Sequence, residues 1–164
     1  MRFTALIVDD DPHLLDGLRR VLRPEPYELV TAASGEEALG LLELHRPQVV
    51  VTDYHMPGMV GTQLLSRARE LVPDGARILI TGSPSLEVAV EAINLGAVTR
   101  IFIKPFQSMY LALAIREAME RVELAQLAGQ LLERMRRGAM PADDYQPHDA
   151  SVILRELRRA LEKA

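Results

Sequence analysis

Apolar and polar positions along this chain fall into two alternating patterns. Short, nearly continuous apolar runs at 3–8, 27–32, 48–53, 77–81 and 99–103 are rich in Val, Ile and Leu. Between them lie longer segments whose apolar residues recur every three or four positions. The first pattern predicts strands buried on both faces and the second predicts amphipathic helices. The run Val49-Val50-Val51-Thr52 stops at the carboxylate of Asp53 and is followed by the turn Met56-Pro57-Gly58.

Helix signals fit between the strands. Asp11 reads as an N-cap with Pro12 at the first helical position, ahead of a stripe of Leu14, Leu15, Leu18, Val21 and Leu22 that ends before Pro24. Ser34 and Glu37 form a capping box for a helix with Ala38, Leu41 and Leu42 on its apolar side. A third helix, from about Thr62 to Leu71, presents Leu64, Leu65, Ala68 and Leu71 before Pro73-Asp74-Gly75 breaks it. Ser83-Pro84 predicts the cap and first residue of a fourth, with Leu86, Ala89, Val90 and Ile93 on its apolar side and Gly96 at its end. Strands alternating with helices at this spacing define an α/β fold. The prediction is a flavodoxin-like (βα)5 doubly wound parallel sheet, order 2-1-3-4-5, which brings the ends of the first and third strands together at a switch point.

After 105 the pattern changes. Ser108 can cap a helix that meets no strong stop until Gly138. Its first half (Leu111, Ala112, Ile115, Ala118, Met119) suits packing on the sheet. Leu124, Leu127, Leu131 and Met135 then repeat at coiled-coil steps, and such a second half is expected to project from a domain of this size. Residues 139–149 read as a linker and 150–164 as an amphipathic helix with Ala150, Leu154, Leu157 and Leu161 on one stripe. The expected division is a domain at 1–122 and a helical extension at 123–164. Pairing of two chains through the long helix accounts best for its apolar stripe.

Composition narrows the function. The 164 residues carry a net charge of −4, and the Arg134-Met135-Arg136-Arg137 and Arg155/Arg158/Arg159 clusters read as solvated helix faces, so nucleic-acid binding is not expected. No cysteine is present, which excludes disulfides, thiolate nucleophiles and Cys-ligated zinc. No apolar run approaches the roughly 18 residues of a membrane span. The start, Met1-Arg2-Phe3-Thr4, runs straight into a strand, and a cytoplasmic location is expected.

The chemistry lies at the strand ends, which supply Asp9, Asp10 and Asp53, then Thr81 and Lys104. Converging carboxylates repel unless they bind a cation or a proton. Without Cys or paired His, the fitting cation is hard and oxygen-loving, and Mg2+ suits such a set. A lysine and a hydroxyl beside it suit a phosphoryl group on Asp53, because phosphoryl transfer needs positioning and charge compensation above all. Asp11 is expected to cap rather than ligate, and His13, His45, His55 and His148 to lie at the surface.

Taken in order, Val8-Asp9-Asp10, Asp53-Tyr54-His55-Met56-Pro57-Gly58-Met59, Thr81-Gly82 and Lys104-Pro105-Phe106 resemble the response-regulator receiver domain of two-component systems. The resemblance runs from about Phe3 to the helix after Lys104. It implies that Asp53 accepts a phosphoryl group from a histidine kinase or phosphotransfer protein. It further implies that Asp10, Asp53 and the carbonyl of His55 ligate Mg2+ with Asp9 acting through water, that Thr81 and Lys104 contact the phosphoryl group, and that Lys104-Pro105 is cis. Such a domain is a switch and not a turnover enzyme. One position departs from the family: Ile101 stands where an aromatic usually couples to the threonine. Two other readings remain. One is a constitutive dimeric scaffold that signals without phosphate, favoured by Ile101. The other is an aspartate-nucleophile phosphatase built on Asp9-Asp10-Asp11, for which the only late acidic pair, Asp143-Asp144, lies in the linker.

Overall fold

The structure is a computed structural model that describes residues 3–96 and 98–136. Five parallel strands, β1 (Thr4–Val8), β2 (Glu28–Ala32), β3 (Val49–Asp53), β6 (Ala76–Thr81) and β7 (Arg100–Ile103), form one sheet in the order β2-β1-β3-β6-β7. Two short strands, β4 (His55–Met56) and β5 (Met59–Val60), make a separate hairpin after β3. With the hairpin set aside, the order is the predicted 2-1-3-4-5. Helices α1 (Pro12–Leu22), α2 (Gly35–His45), α3 (Gly61–Leu71) and α4 (Leu86–Gly96) fill the crossovers, and α5 (Ser108–Arg136) follows β7.

Burial on both faces explains the continuous apolar runs. Every residue of β1, β3 and β6 is buried, whereas β2 is only partly covered. Alternate side chains serve opposite faces. Leu6, Val8, Val50 and Leu79 join Ala38 and Leu42 of α2, Leu64, Leu65 and Ala68 of α3, and Val88 and Ala92 of α4 in one core cluster. Ala5, Ile7, Val49, Val51, Ile78 and Ile80 point the other way, and the buried Leu15, Leu18 and Leu22 of α1 and Leu111 and Ile115 of α5 complete that second layer. Each Val, Leu or Ile among them contributes about 1.5–3 kcal/mol on leaving water.

Local signals mostly act as predicted. Asp11 caps α1 by accepting from the backbone N–H groups of His13 and Leu14, and Ser34 caps α2 by accepting from Glu37 N. The Glu37 carboxylate reaches back to Ala33 N, one residue short of a standard capping box. The five residues predicted for the first half of α5 are all buried.

Two readings of α4 need correction. Its cap is Ser85, whose Oγ accepts from Val88 N at 3.1 Å, and the helix starts at Leu86. Ser83 instead donates its N–H to Thr81 Oγ1 at 3.2 Å. The face that packs inward is Val88 and Ala92; Leu86, Val90 and Ile93 are exposed. This helix is apolar on nearly every side, so periodicity alone could not choose between its faces. The β4–β5 hairpin was not predicted either, although Pro57 followed by Gly58 at φ +80° is the signature of its turn.

The chain divides into two compact units, Met1–Met119 and Glu120–Ala164. Within the second, the helix continues to Arg136, with Leu124 half-buried and Leu127 exposed. The linker, the final helix, Gly138, His148 and Asp143-Asp144 lie outside the described residues, as do the side chains of Leu131 and Met135.

Candidate functional site

The site grows from the central strands. β1 pairs with β3 in a register that ends at Val8↔Thr52, so the next residues along, Asp9 and Asp53, emerge side by side. β3 pairs with β6 at Asp53↔Ile80, which places Thr81 one residue beyond, and Thr81 pairs with Ile103 of β7, just before Lys104. Four strand ends in register thus deliver two acids, a hydroxyl and an ammonium to one edge of the sheet.

Lys104 joins the acids. Its Nζ lies 2.9 Å from Asp9 Oδ2 and 2.8 Å from Asp53 Oδ1. The remaining oxygens accept from the backbone: Asp9 Oδ1 from Asp11 N and Asp53 Oδ2 from His55 N, each at 2.9 Å. The Asp9 side chain is almost fully buried, that of Asp53 keeps 8% of its surface, and that of Lys104 keeps 33%. Asp53 is therefore reachable, at the foot of a lysine that is itself open to solvent. Lys104-Pro105 is cis, as the resemblance implies.

Burial and charge pull in opposite directions here. Burial pushes the Asp9 carboxyl upward and the Asp53 charge adds to this, while Lys104 and the Asp11 N–H pull it down; the net direction is up. For Lys104, burial pulls the ammonium down, but hydrogen bonds and charge from Asp53 and Asp9 outweigh it and raise the value. One cation held between two carboxylates still leaves the pair negative overall.

That residual charge bears on a metal. Among the described residues, no three His, Cys, Asp or Glu side chains gather closely enough to cage an ion by themselves. The donors present are two neighbouring carboxylates, backbone carbonyls and solvent, with the exposed Asp10 beside Asp9. Such a set fits Mg2+, which retains several waters and binds through one or two carboxylates, better than a metal needing an all-protein cage. Asp9, Asp53 and Lys104 are brought into contact. Thr81 ends the adjacent strand with its hydroxyl turned to Ser83 N. His55 is exposed, as expected, and offers its backbone to Asp53.

Other residues of the site carried no sequence signal. Gly61, the first residue of α3, donates its N–H to Tyr54 O at 2.9 Å. A β-carbon there would collide with the Asp53 carbonyl oxygen, so glycine is required by close approach. Tyr54, Thr62 and Glu91 form a hydrogen-bonded cluster beside the loop that follows Asp53. Ile101 packs against the core cluster that holds Val88 and Ala92, while Phe102 stacks edge-on to Phe106 at 5.7 Å between ring centroids. Phe102 therefore cannot stand in for the missing aromatic.

A parallel sheet in this order, with acids, hydroxyl and lysine at these strand ends, defines a receiver-type α/β domain. The response regulator receiver domain family matches residues 5–116, and the chain belongs to that family. The hydrogenase transcriptional regulatory protein HoxA of Cupriavidus necator is 33% identical over 117 residues, 71% of this chain and 24% of that protein. The C4-dicarboxylate transport transcriptional regulatory protein DctD of Rhizobium meliloti is 31% identical over 159 residues, 96% of this chain and 34% of that protein. Among solved structures, the signal receiver domain of an HD domain-containing protein from Pseudomonas fluorescens superposes with a TM-score of 0.71 at 36% identity, covering 75% of this chain and 98% of that one. The matched part of the chain thus spans about a quarter of the length of one of these regulators and about a third of the other. No described helix is long and apolar enough to cross a membrane.

Proposed function

We propose that Asp53 accepts a phosphoryl group from a histidine kinase or phosphotransfer protein in the cytoplasm, and that the product switches a dimerisation or partner-binding surface. The observation that carries this reading is Lys104 Nζ held between the carboxylates of Asp9 and Asp53. An Asp53 carboxylate oxygen attacks phosphorus as the P–N bond breaks to the donor's phosphoimidazole, whose other ring nitrogen carries a proton, giving an acyl phosphate and a neutral imidazole. Lys104 compensates the charge that gathers on the phosphoryl oxygens, and the Thr81 hydroxyl turns from Ser83 N to donate to one of them. Asp10, Asp53 and the His55 carbonyl would hold Mg2+, with Asp9 acting through water; the ion supplies further charge neutralisation. The receiver would occupy 1–122 and the helical extension 123–164, with chains pairing through the long helix. Turnover beyond slow loss of the phosphoryl group is not part of this function.

Incubation with acetyl phosphate should label the chain once, only with Mg2+, and Asp53→Ala should take no label. Equal labelling of that variant contradicts the proposal. The scaffold reading is favoured by the aliphatic Ile101 at the usual aromatic position. It predicts the same oligomeric state with and without beryllofluoride, a phosphoryl mimic, whereas the switch predicts a change.

A further inference from the structure

Two hydroxyls meet on one carboxylate beside the site. Tyr54 Oη donates to Glu91 Oε2 at 3.0 Å, and Thr62 Oγ1 donates to Glu91 Oε1. Glu91 is half-buried on α4, Thr62 is fully buried at the start of α3, and Tyr54 immediately follows Asp53. One side chain on α4 therefore grips both the phosphoacceptor loop and the helix behind it.

Tyr54 has little freedom of its own. Its N–H donates to Ile80 O at 2.7 Å and its carbonyl accepts from Gly61 N. Its ring stands edge-on to His55 with centroids 4.6 Å apart. His55 N in turn donates to Asp53 Oδ2, so Tyr54 lies between the phosphoacceptor and a backbone N–H that reads the charge on it. The hydrogen bond to Glu91, more than burial, holds the phenol well protonated. Ile101, packed against the core cluster that holds Val88 and Ala92, has no polar side-chain atom with which to report on the site.

We propose that Glu91 is a positioning residue that clamps α4 in the resting arrangement through Tyr54 and Thr62, and that phosphorylation of Asp53 releases the clamp at Tyr54. The inference rests on the reading of Asp53 as phosphoacceptor. Phosphorylating the carboxylate removes the anion to which His55 N–H donates and places a bulkier, more charged group next to Tyr54. A contact made only in the resting state opposes phosphoryl binding by its full strength and by reciprocity loosens when the phosphoryl group binds. The link thus couples the site to the exposed apolar face of α4, Leu86, Val90 and Ile93, without an aromatic at 101.

The test titrates the intact chain with beryllofluoride in Mg2+, comparing wild type, Tyr54→Phe, Glu91→Ala and the double variant. Removing the clamp should lower the half-saturating beryllofluoride concentration several-fold, up to about tenfold, for either single change. The double variant should gain no more than Glu91→Ala alone, since the contact that Tyr54→Phe removes is already lost in Glu91→Ala. Amide exchange in α4 should quicken in unliganded Tyr54→Phe, while that of β1 and β3 stays unchanged. A purely structural role would leave the half-saturation point unmoved, and an unchanged or weaker response in Tyr54→Phe overturns the clamp alone. Wild type that binds no beryllofluoride, or Asp53→Ala that binds it normally, overturns the receiver reading and the clamp with it.

Discussion

Lys104 is the residue on which the site's electrostatics turn, because Asp9 and Asp53 would otherwise face each other uncompensated. Replacing it with Met should destabilise the metal-free chain by about 2 kcal/mol. That is less than the 3–5 kcal/mol of a fully buried pair, since the ammonium keeps some solvent. Added Mg2+ should restore part of this loss, and urea unfolding of the variant with and without the ion measures both. The pH dependence follows from the same groups. Lys104 is held above its ordinary 10.5, so its contribution is complete below that value and lost as pH rises through the folded one. Buried Tyr27 acts in the same sense, because the unfolded chain ionises near its ordinary 10.0 while the folded chain does not. Stability should therefore hold to about pH 10 and fall above it. Asp9, held above 3.8, acts in the same sense at the acid end: the folded chain binds its proton first, so this group favours the fold as pH drops and loses that contribution as pH rises through its raised value. The Tyr27 hydroxyl is buried without a hydrogen-bond partner. Tyr27→Phe should raise stability by about 1 kcal/mol and shrink the alkaline loss; a clear destabilisation contradicts this account.

At the scale of elements, the strands were legible because a parallel sheet buries both faces and so writes continuous apolar runs into the sequence. Asp9, Asp53, Thr81 and Lys104 were legible for a related reason: each is a polar group standing at the end of such a run. The inward face of α4 was not, since Leu86, Val90 and Ile93 make as good a stripe as Val88 and Ala92. Only the packing of α4 on α3 and the sheet decides between them. Ala92→Leu should therefore overpack the core and cost about 1–3 kcal/mol, whereas Ile93→Ala should change stability by less than about 0.5 kcal/mol. Thermal unfolding of the two variants discriminates the faces. Nor could Glu91 be singled out, because an acid on an exposed-looking helix carries no mark of a partner 37 residues away. The hairpin and Gly61 belong together: the short β4–β5 turn returns the chain so that α3 begins against the Asp53 carbonyl. Gly61→Ala must displace that backbone. It should cost about 1–3 kcal/mol and slow labelling from acetyl phosphate in the fraction that folds.

For the whole molecule, family membership and the sheet order are settled by independent lines, the match over residues 5–116 and the strand pairing itself. The alignment with DctD runs over 96% of the chain, past the sheet and into the helical segment, which is where chain pairing is proposed. Light scattering with and without beryllofluoride tests that pairing and its dependence on the site. The central claim concerns one side chain, and one measurement addresses it directly. The chain is phosphorylated with acetyl phosphate and Mg2+, reduced with borohydride, and mapped by peptide mass. Reduction of an aspartyl phosphate leaves homoserine, so the account predicts homoserine at position 53 and at no other aspartate. Homoserine at 9, 10 or 11, or none at all from wild type, contradicts it.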